Sequence, residues 1–424
     1  MRLIAAKFAL PMNGTDCIPN GTIAVGEQGN IEAVGPLENL KKEFPQASLE
    51  EFPDSVLMPG LVNAHCHLDR AGFYSRYSVE TPASLSPTAW FIESLQYLST
   101  TTSNAVSTMM DKSIDRQIDL GTTCIGSMNH YEGAFPILKA KGIRGVNFVE
   151  IFSAPTKEAQ TRFEIALALI EKYHDDNGLM QMGLGPFAPY VLSKNLLNII
   201  AQHARDRKLP IQIHVAETFA EMEFFFDSKG PIAEEIFPWL GWEDLPPPHQ
   251  KTPIQYLEEI GFMKTSFSAV GAYHLSASDI PRLVRGKTKV VYCPTSRKRL
   301  NLGDFPWKRF KEGEIPVAIG TDLYSDADGF NVWEEMRLIL KENTNALPTA
   351  TEVLKMGTYN GSAALGLKDR TGSLEAGKSA DYILVQCPEL KKYETESLCR
   401  GLIEQTGAGQ INRVVVAGKT FRGK

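Results

Sequence analysis

The sequence has few cysteines, no long apolar run and no block of like charge, and each absence excludes a class of protein. Six cysteines are scattered over 424 residues without a Cys-x-x-Cys pair, which argues against a disulfide framework. No run approaches the roughly 18 apolar residues of a membrane span, and Lys7 interrupts the first apolar run, so we expect no signal peptide. Lysine and arginine total 44 against 50 acidic residues, a net charge of −6, which argues against a basic nucleic-acid-binding face. We therefore predict a soluble, cytoplasmic protein without nucleic-acid or membrane partners.

The two ends of the sequence show short apolar runs separated by turn signals. Asn13-Gly14 and Asn20-Gly21 stand between such runs, a pattern that predicts β-hairpins. A similar pattern returns after Leu365. We predict that residues 1–56 and 366–424 together form one small β-sandwich domain, because each part alone is too small to stand comfortably.

Between these ends the hydrophobic period changes. Strand-like runs alternate with helical stretches over residues 57–365, as they do in parallel βα units. The predicted strands cover residues 57–68, 122–129, 142–151, 180–186, 210–216, 266–274, 289–293 and 316–321. This pattern predicts an α/β fold built on a (β/α)8 TIM barrel. A doubly wound open sheet is the alternative, but no glycine-rich phosphate loop follows the first strand.

The longest segment between predicted strands is rich in aromatic residues. Residues 218–251 hold Phe224, Phe225, Phe226, Trp239 and Trp242. These side chains fit a helical insertion packed on the barrel, and they fit equally a lid over the barrel mouth, where long loops often act.

Two histidines end the first predicted barrel strand. His65 and His67 are separated by one residue, so in a strand they share a face and Cys66 points away. Two imidazoles on one face suit a divalent metal. An isolated pair of this kind also occurs as hydrogen-bonded core histidines, so the metal interpretation depends on further ligands downstream.

Three later predicted strands also end in residues that carry chemistry. They are His214, His274 and Asp322. In a barrel all strand ends of this kind open on one face. The predicted metal ligands are therefore His65, His67, His214 and Asp322. This donor set suits one zinc ion, with iron(II) or manganese(II) as alternatives. Glu217 falls just past the end of its strand, where it could face a substrate.

Together these segments resemble the amidohydrolase superfamily, within its cytosine-deaminase and chlorohydrolase-like branch. The resemblance is carried by residues 59–67, 214–217, 274, 293–296, 321–322 and 372–381. Many relatives with two metals have a carboxylated lysine after the fourth strand. Residues 180–190 contain no lysine, so the resemblance implies the single-metal form.

The resemblance also implies roles for three residues in a hydrolytic deamination. Asp322 would orient a metal-activated water and accept its proton. Glu217 would pass a proton to the substrate ring and then to the departing ammonia. His274 would hydrogen-bond the water or the developing oxyanion. Dechlorination of a triazine-like ring, hydrolysis of a cyclic amide and a non-catalytic scaffold are the alternatives.

Within this branch the sequence is most similar to deaminases of adenosine-type nucleosides, including the aminodeoxyfutalosine and methylthioadenosine/adenosylhomocysteine enzymes. Trp90 and His130 support that likeness, whereas Phe187, Arg297 and Leu323 replace the histidine, asparagine and glycine of these relatives. The predicted substrate is a small amino-substituted purine or related heterocycle. Its candidate contacts are Trp90, His130, Phe187 and Arg297. His130 also fits a packed histidine and Arg297 a solvated loop cation, and the sequence leaves a homodimer open.

Overall fold

The computed structural model describes residues 1–73, 86–152, 156–175, 177–323, 329–342, 346–387, 389 and 394–423. Tyr324 to Asp326, which follow Leu323 in the sequence, lie outside the described residues. No helix within these ranges combines the length and the apolar character that crossing a membrane requires.

Strands from both ends of the chain share one sheet. They are β1 (Arg2–Ala9), β2 (Ile18–Pro19), β3 (Gly21–Val25), β4 (Ile31–Pro36), β5 (Ser48–Pro59), β14 (Tyr382–Gln386), β15 (Ile411–Val416) and β16 (Lys419–Arg422). The order is β16-β15-β14-β5-β1-β3-β4, and β2 pairs with β1. β5 runs parallel to β1 and antiparallel to β14. The contact between β5 and β14 therefore joins the N-terminal strands to the C-terminal ones.

Parallel strands make up the middle of the chain. They are β6 (Leu61–Cys66), β7 (Thr122–Asn129), β8 (Arg144–Ile151), β9 (Met180–Pro186), β10 (Gln212–Val215), β11 (Ser268–Gly271), β12 (Lys289–Tyr292) and β13 (Val317–Ile319). They form two sheets, β6-β7-β8-β9 and β10-β11-β12-β13. A bridge between Leu184 and Ile211 links the sheets on one side, and a bridge between Cys66 and Asp322 links them on the other. This is a TIM-barrel-type arrangement, as predicted.

The barrel strands are buried on both faces. Every residue of β7 and of β8 is buried, the polar ones included, as expected of parallel strands that are covered on both faces. Charged side chains on such a strand need partners, and Arg144 and Glu150 mark the two ends of β8.

Helices fill most of the connections between the strands. They are α1 (Leu37–Glu43), α2 (Pro87–Thr100), α3 (Ser103–Asp119), α4 (Ala134–Lys141), α5 (Thr156–Tyr173), α6 (Lys194–Arg207), α7 (Phe219–Asp227), α8 (Phe237–Trp239), α9 (Pro253–Glu259), α10 (Asp279–Arg285), α11 (Pro294–Arg299), α12 (Trp307–Glu312), α13 (Val332–Leu340), α14 (Ala350–Met356), α15 (Tyr359–Ala364) and α16 (Thr395–Gln405). Several begin at a hydroxyl side chain that accepts a backbone N–H, as Ser193 does for α6 and Thr218 for α7. Such caps satisfy N–H groups that have no partner inside the helix.

The predicted strand over residues 57–68 is wrong as a single strand. β5 ends at Pro59 in the terminal sheet, and β6 begins at Leu61 in the barrel. Gly60 makes the break possible, because a Cβ at this position would lie 2.1 Å from Oγ1 of Thr123. The chain passes here from one sheet to the other.

The aromatic segment 218–251 packs largely as a helical insertion. Phe224, Phe225 and Phe237 are buried, whereas Phe219 and Phe226 stay 70% and 51% exposed. A short π-helix, Ile232–Ile236, lies between α7 and α8. The buried rings support the packed insertion. A lid movement stays a prediction.

Candidate metal centre

Two histidines lie at the end of the first barrel strand. His65 belongs to β6 and His67 follows it directly, and both side chains are buried. Cys66 turns the other way, and its thiol donates to the carbonyl of Gly126 at 3.5 Å. Burial raises the pKa of the Cys66 thiol, so at neutral pH this thiol lacks the thiolate form that metals bind.

The two other predicted ligands reach the same place from distant parts of the sequence. His214 lies in β10, and Asp322 follows β13 with a left-handed φ of 52°. The backbone N–H of Asp322 donates to the carbonyl of His65 at 3.0 Å. Donor atoms of His65, His67, His214 and Asp322 all lie within 4.8 Å of one another.

The distances between these donor atoms suit a single ion. Asp322 Oδ1 lies 3.5 Å from Nε2 of His65 and 3.5 Å from Nε2 of His67. The Nε2 atoms of His67 and His214 are 3.3 Å apart. Tetrahedral donors at about 2.1 Å from zinc would be separated by about 3.4 Å.

Two of the donor atoms accept or donate no hydrogen bond in the described part of the chain. His65 Nε2 and Asp322 Oδ1 are buried there without a hydrogen-bond partner. Buried polar atoms seldom remain unsatisfied. Three imidazoles and one carboxylate are also a donor set that zinc accepts. The four residues therefore form a metal-binding site.

The electrostatic surroundings of Asp322 and His67 favour the protonation states that bind a metal. Burial works against ionisation of Asp322, but the neighbouring imidazoles of His65 and His214 outweigh it and hold the pKa of this carboxyl at about 2. Burial, together with the charge of Arg70, lowers the pKa of His67 well below its usual value. A carboxylate and a neutral imidazole are the forms that a metal requires.

Two of the ligand histidines are held through their second ring nitrogen. Nδ1 of His65 lies 2.6 Å from Oε1 of Gln212, whose amide nitrogen donates to the carbonyl of Ala64 at 2.9 Å. Nδ1 of His214 lies 3.1 Å from Oε2 of Glu217. An acceptor at Nδ1 holds the proton there and leaves Nε2 free for the metal. We missed Gln212 from the sequence, although its two-residue spacing from His214 puts both on one face of β10.

A cavity lies beside the metal-binding site. Its lining includes His67, His214, Glu217 and Asp322, with Trp90, Phe91, Phe187, Tyr190, Leu300, Leu302 and Leu323 among the apolar and aromatic residues. The ring of Phe187 lies 5.0 Å from that of His214 in a stacked arrangement. Aromatic walls with a few polar groups at one place suit a flat heterocyclic ligand. The structure thus brings together Glu217, Trp90 and Phe187, as predicted.

A second buried carboxyl supports the loop that carries Glu217. Oε2 of Glu221 accepts the backbone N–H of Glu217 at 2.9 Å. Burial raises the pKa of Glu221 to about 8, so this carboxyl is largely protonated at neutral pH. Ala216, between the strand and Glu217, has a left-handed φ of 53°.

The structure does not bring Arg297 to the cavity, which corrects its prediction as a substrate contact. Its guanidinium donates to the hydroxyl of Tyr292 at 2.7 Å and to the carbonyl of Gly303 at 2.9 Å. A third hydrogen bond, at 3.2 Å, reaches Glu342. Arg297 is thus bound within the protein, because acceptors from other elements surround it.

His130 and His274 also lie apart from the described lining of the cavity. Nδ1 of His130 is 3.5 Å from Oε1 of Glu150, which favours the packed histidine. The ring of His274 lies 6.1 Å from that of Phe219, and burial lowers the pKa of His274.

Comparison with known proteins agrees with this site. The sequence model of the amidohydrolase family matches residues 56–421, a range that contains all four ligands. A 5-methylthioadenosine/S-adenosylhomocysteine deaminase from Desulfitobacterium hafniense is 30% identical over 431 residues, covering 99% of this chain and 92% of the relative. An aminodeoxyfutalosine deaminase from Deinococcus radiodurans is 28% identical over 326 residues, covering 75% of each chain. The crystal structure of an adenosine deaminase from Xanthomonas campestris with bound zinc matches with a TM-score of 0.81 at 25% identity, covering 99% of this chain and 92% of that one.

Proposed function

This chain belongs to the amidohydrolase family, as its motifs predicted, and we propose that it hydrolytically deaminates an adenosine-type nucleoside or a related aminopurine. It is a hydrolase that acts on carbon–nitrogen bonds other than peptide bonds. One observation carries the proposal. The carboxyl of Glu217 lines the cavity and contacts the metal ligand His214, so an acid that can move protons stands beside a metal-binding site.

The names of the relatives support this substrate class. They refer to deamination of 5-methylthioadenosine, S-adenosylhomocysteine, aminodeoxyfutalosine and adenosine. An adenosine-type nucleoside presents an amino-substituted purine to the site, and the aromatic lining near Trp90 and Phe187 offers faces on which such a ring can stack.

The predicted cofactor is one divalent ion held by His65, His67, His214 and Asp322. Zinc is the ion bound in the solved adenosine deaminase, and iron(II) or manganese(II) fit the same donor types. When bound, such an ion supplies the Lewis acidity that makes a water molecule nucleophilic near neutral pH.

In the proposed reaction, Asp322 and Glu217 transfer the protons. Asp322, whose pKa is held at about 2, is a carboxylate at neutral pH and accepts a proton from the attacking water. Glu217 takes the other water proton and passes it to a ring nitrogen, and it then relays the proton held by Asp322 to the departing amino group, so both carboxyl groups return to their starting states. Water oxygen replaces the amino nitrogen on the ring carbon, and the two water protons end on the ring nitrogen and on ammonia. His274, which follows β11, stays a proposed hydrogen-bond donor to the developing oxyanion.

Phe187 narrows the proposed substrate range. At this position the resembling deaminases have a histidine, and a phenyl ring cannot hydrogen-bond. Polar contacts discriminate strongly between substrates because an unmatched polar group is costly when buried. We expect this chain to prefer a substrate whose part near Phe187 is apolar.

The domain organisation that we propose follows the division of the strands into a terminal sheet and two parallel sheets. Residues 57–365 would form one closed (β/α)8 barrel, and residues 1–56 and 366–424 a β-sandwich. The positions of Ile232 and Ile236 in the cavity lining support a lid in segment 218–251. The homodimer and the cytoplasmic location stay predictions.

An ammonia-release assay over a panel of substrates tests the proposal. The zinc-loaded protein should release ammonia from adenosine, 5-methylthioadenosine or S-adenosylhomocysteine, and less from cytosine. Glu217→Gln, which keeps an oxygen acceptor for His214, is the matched control. Chloride release from a chlorotriazine, or opening of a cyclic amide, without ammonia from any nucleoside would favour the alternative chemistries. A metal-loaded protein that turns over none of these compounds would favour the scaffold.

A further inference from the structure

A buried ion pair lies directly behind the metal ligand His67. Arg70 donates to Oε2 of Glu150 at 2.8 Å and to Oε1 at 2.6 Å, and neither side chain is exposed. The same guanidinium nitrogen that reaches Oε2 lies 2.6 Å from Nδ1 of His67. Oε2 of Glu150 itself lies 3.6 Å from that Nδ1. Nδ1 of His67 thus faces both members of the pair, with the guanidinium at hydrogen-bond distance and the carboxylate just beyond it.

Burying this ion pair is unfavourable in free energy. Removing two charges from water costs several kcal/mol per ion, and apolar residues of similar volume often serve stability equally well. Arg70 ends the short turn Leu68–Arg70 that follows β6, whereas Glu150 lies on β8, two strands away. Oδ2 of Asp69 accepts the backbone N–H groups of His130 and Tyr131, at 2.7 and 3.0 Å, which holds that turn. Several buried polar groups therefore converge on one side of His67.

We propose that Glu150 and Arg70 are positioning residues of the metal site, which fix the ring of His67 so that its Nε2 faces the other ligands. A guanidinium can only donate, so Arg70 binds Nδ1 when that nitrogen carries no proton. The carboxylate of Glu150 can accept the proton when Nδ1 carries one. Metal binding through Nε2 requires the proton on Nδ1, so Glu150 is the acceptor for the metal-bound ring, and Arg70 fixes that carboxylate through two hydrogen bonds.

The other two ligand histidines are held differently, and this contrast supports the assignment. His65 contacts the amide of Gln212, and His214 contacts the carboxyl of Glu217. Each of these is a single acceptor at Nδ1. His67 instead follows the end of β6, and its Nδ1 faces a buried ion pair.

The same strand offers a matched control. Arg144, at the start of β8, forms a buried ion pair with Asp381, far from the ligands along the strand. We would compare Glu150→Gln and Asp381→Asn with the unaltered chain. The measurements are the Zn2+ dissociation constant by competition with a chelator, the visible spectrum of the Co2+-loaded protein, and the thermal midpoint.

Glu150→Gln should weaken Zn2+ binding about 10–100-fold, the range seen for outer partners of metal ligands, and should change the Co2+ bands. Asp381→Asn should lower the thermal midpoint and leave both metal readouts unchanged. If Glu150→Gln fails to fold, Arg70→Gln/Glu150→Gln removes both charges together, and it should show the same loss of Zn2+ affinity. Unchanged Zn2+ affinity and Co2+ bands in the folded Glu150 variant, single or double, would overturn the positioning role.

This inference rests on the proposed metal site, and the measurements separate the two. Failure of the unaltered chain to bind Zn2+ or Co2+ would overturn both. Metal binding without deamination would contradict the proposed reaction while leaving the positioning role to be decided by the Glu150 variants, because neither metal readout uses a substrate.

Discussion

The two ends of strand β8 carry similar ion pairs that serve different purposes. At the N-terminal end Arg144 binds Asp381, and that carboxylate also accepts the backbone N–H of Ala417 at 2.7 Å. This pair ties the base of the barrel to the terminal sheet. At the C-terminal end the pair of Arg70 and Glu150 faces the metal ligand His67. In a parallel barrel the chemistry gathers at the C-terminal ends of the strands, and the opposite face serves stability. Burial and charge alone therefore do not distinguish a structural pair from a functional one.

The largest effect is expected when a metal ligand at the C-terminal ends of the barrel strands is removed. Asp322→Asn removes the one anionic donor of the site, and metal affinity should fall by more than the about 10–100-fold expected for an outer partner. Turnover should fall with it. Metal content after dialysis, measured by mass spectrometry, checks this expectation. Retention of one metal per chain in this variant would show that Asp322 is not needed to hold the ion.

Glu217→Gln should act on catalysis without removing the metal. The amide oxygen can still accept a hydrogen bond from His214, but it cannot shuttle protons, so kcat should fall by about 10²–10⁴-fold. Metal content and KM should change little. A variant with full kcat would refute the role of Glu217, and loss of metal would show that its contact with His214 is structural instead.

Asp381→Asn tests the ion pair at the N-terminal end of β8. It leaves the buried Arg144 without its countercharge, which should cost about 3–5 kcal/mol in the free energy of unfolding. Urea unfolding measures the loss. Glu312→Gln, which removes an exposed pair with Lys308, is the control and should change little. Equal midpoints for the two variants would contradict the structural role of the Arg144 pair.

Glu221→Gln should change the pH dependence of stability. The folded chain holds the Glu221 proton up to about pH 8, whereas the ordinary pKa is 4.5. Between these values the unfolded chain binds fewer protons, so this residue makes the free energy of unfolding fall as pH rises. The glutamine variant should lose that part of the slope. Urea unfolding at pH 5 and pH 8 checks it, and an identical slope in both proteins would show that Glu221 is already ionised in the fold.

The sequence was sufficient for the ligands because their positions follow from simple periodicity. His65 and His67 are two residues apart at the end of β6, and His214 and Asp322 follow from the ends of parallel strands, which meet at one side of the barrel. The requirement for glycine at position 60 was not visible, because it comes from the close approach of Thr123 on another strand.

Partners across the fold were harder to predict than positions along a strand. Nothing local to Arg70 points to Glu150, since the two are 80 residues apart and meet only when β6 and β8 are placed in one sheet. Arg297 failed as a substrate contact for the same reason, because one of its acceptors, Glu342, is brought to it by the fold from 45 residues away. A side chain that binds within the protein cannot be distinguished from one that binds a ligand until its partners in the fold are known.

A zinc titration of ammonia release tests the central claim most directly. The protein is first stripped with a chelator, and the rate of ammonia release from 5-methylthioadenosine is then followed as Zn2+ is added. We predict that the rate rises in proportion to added zinc and becomes constant at one zinc per chain. A rate that does not depend on zinc, or zinc binding at one per chain without ammonia from any adenosine-type nucleoside, would contradict the account.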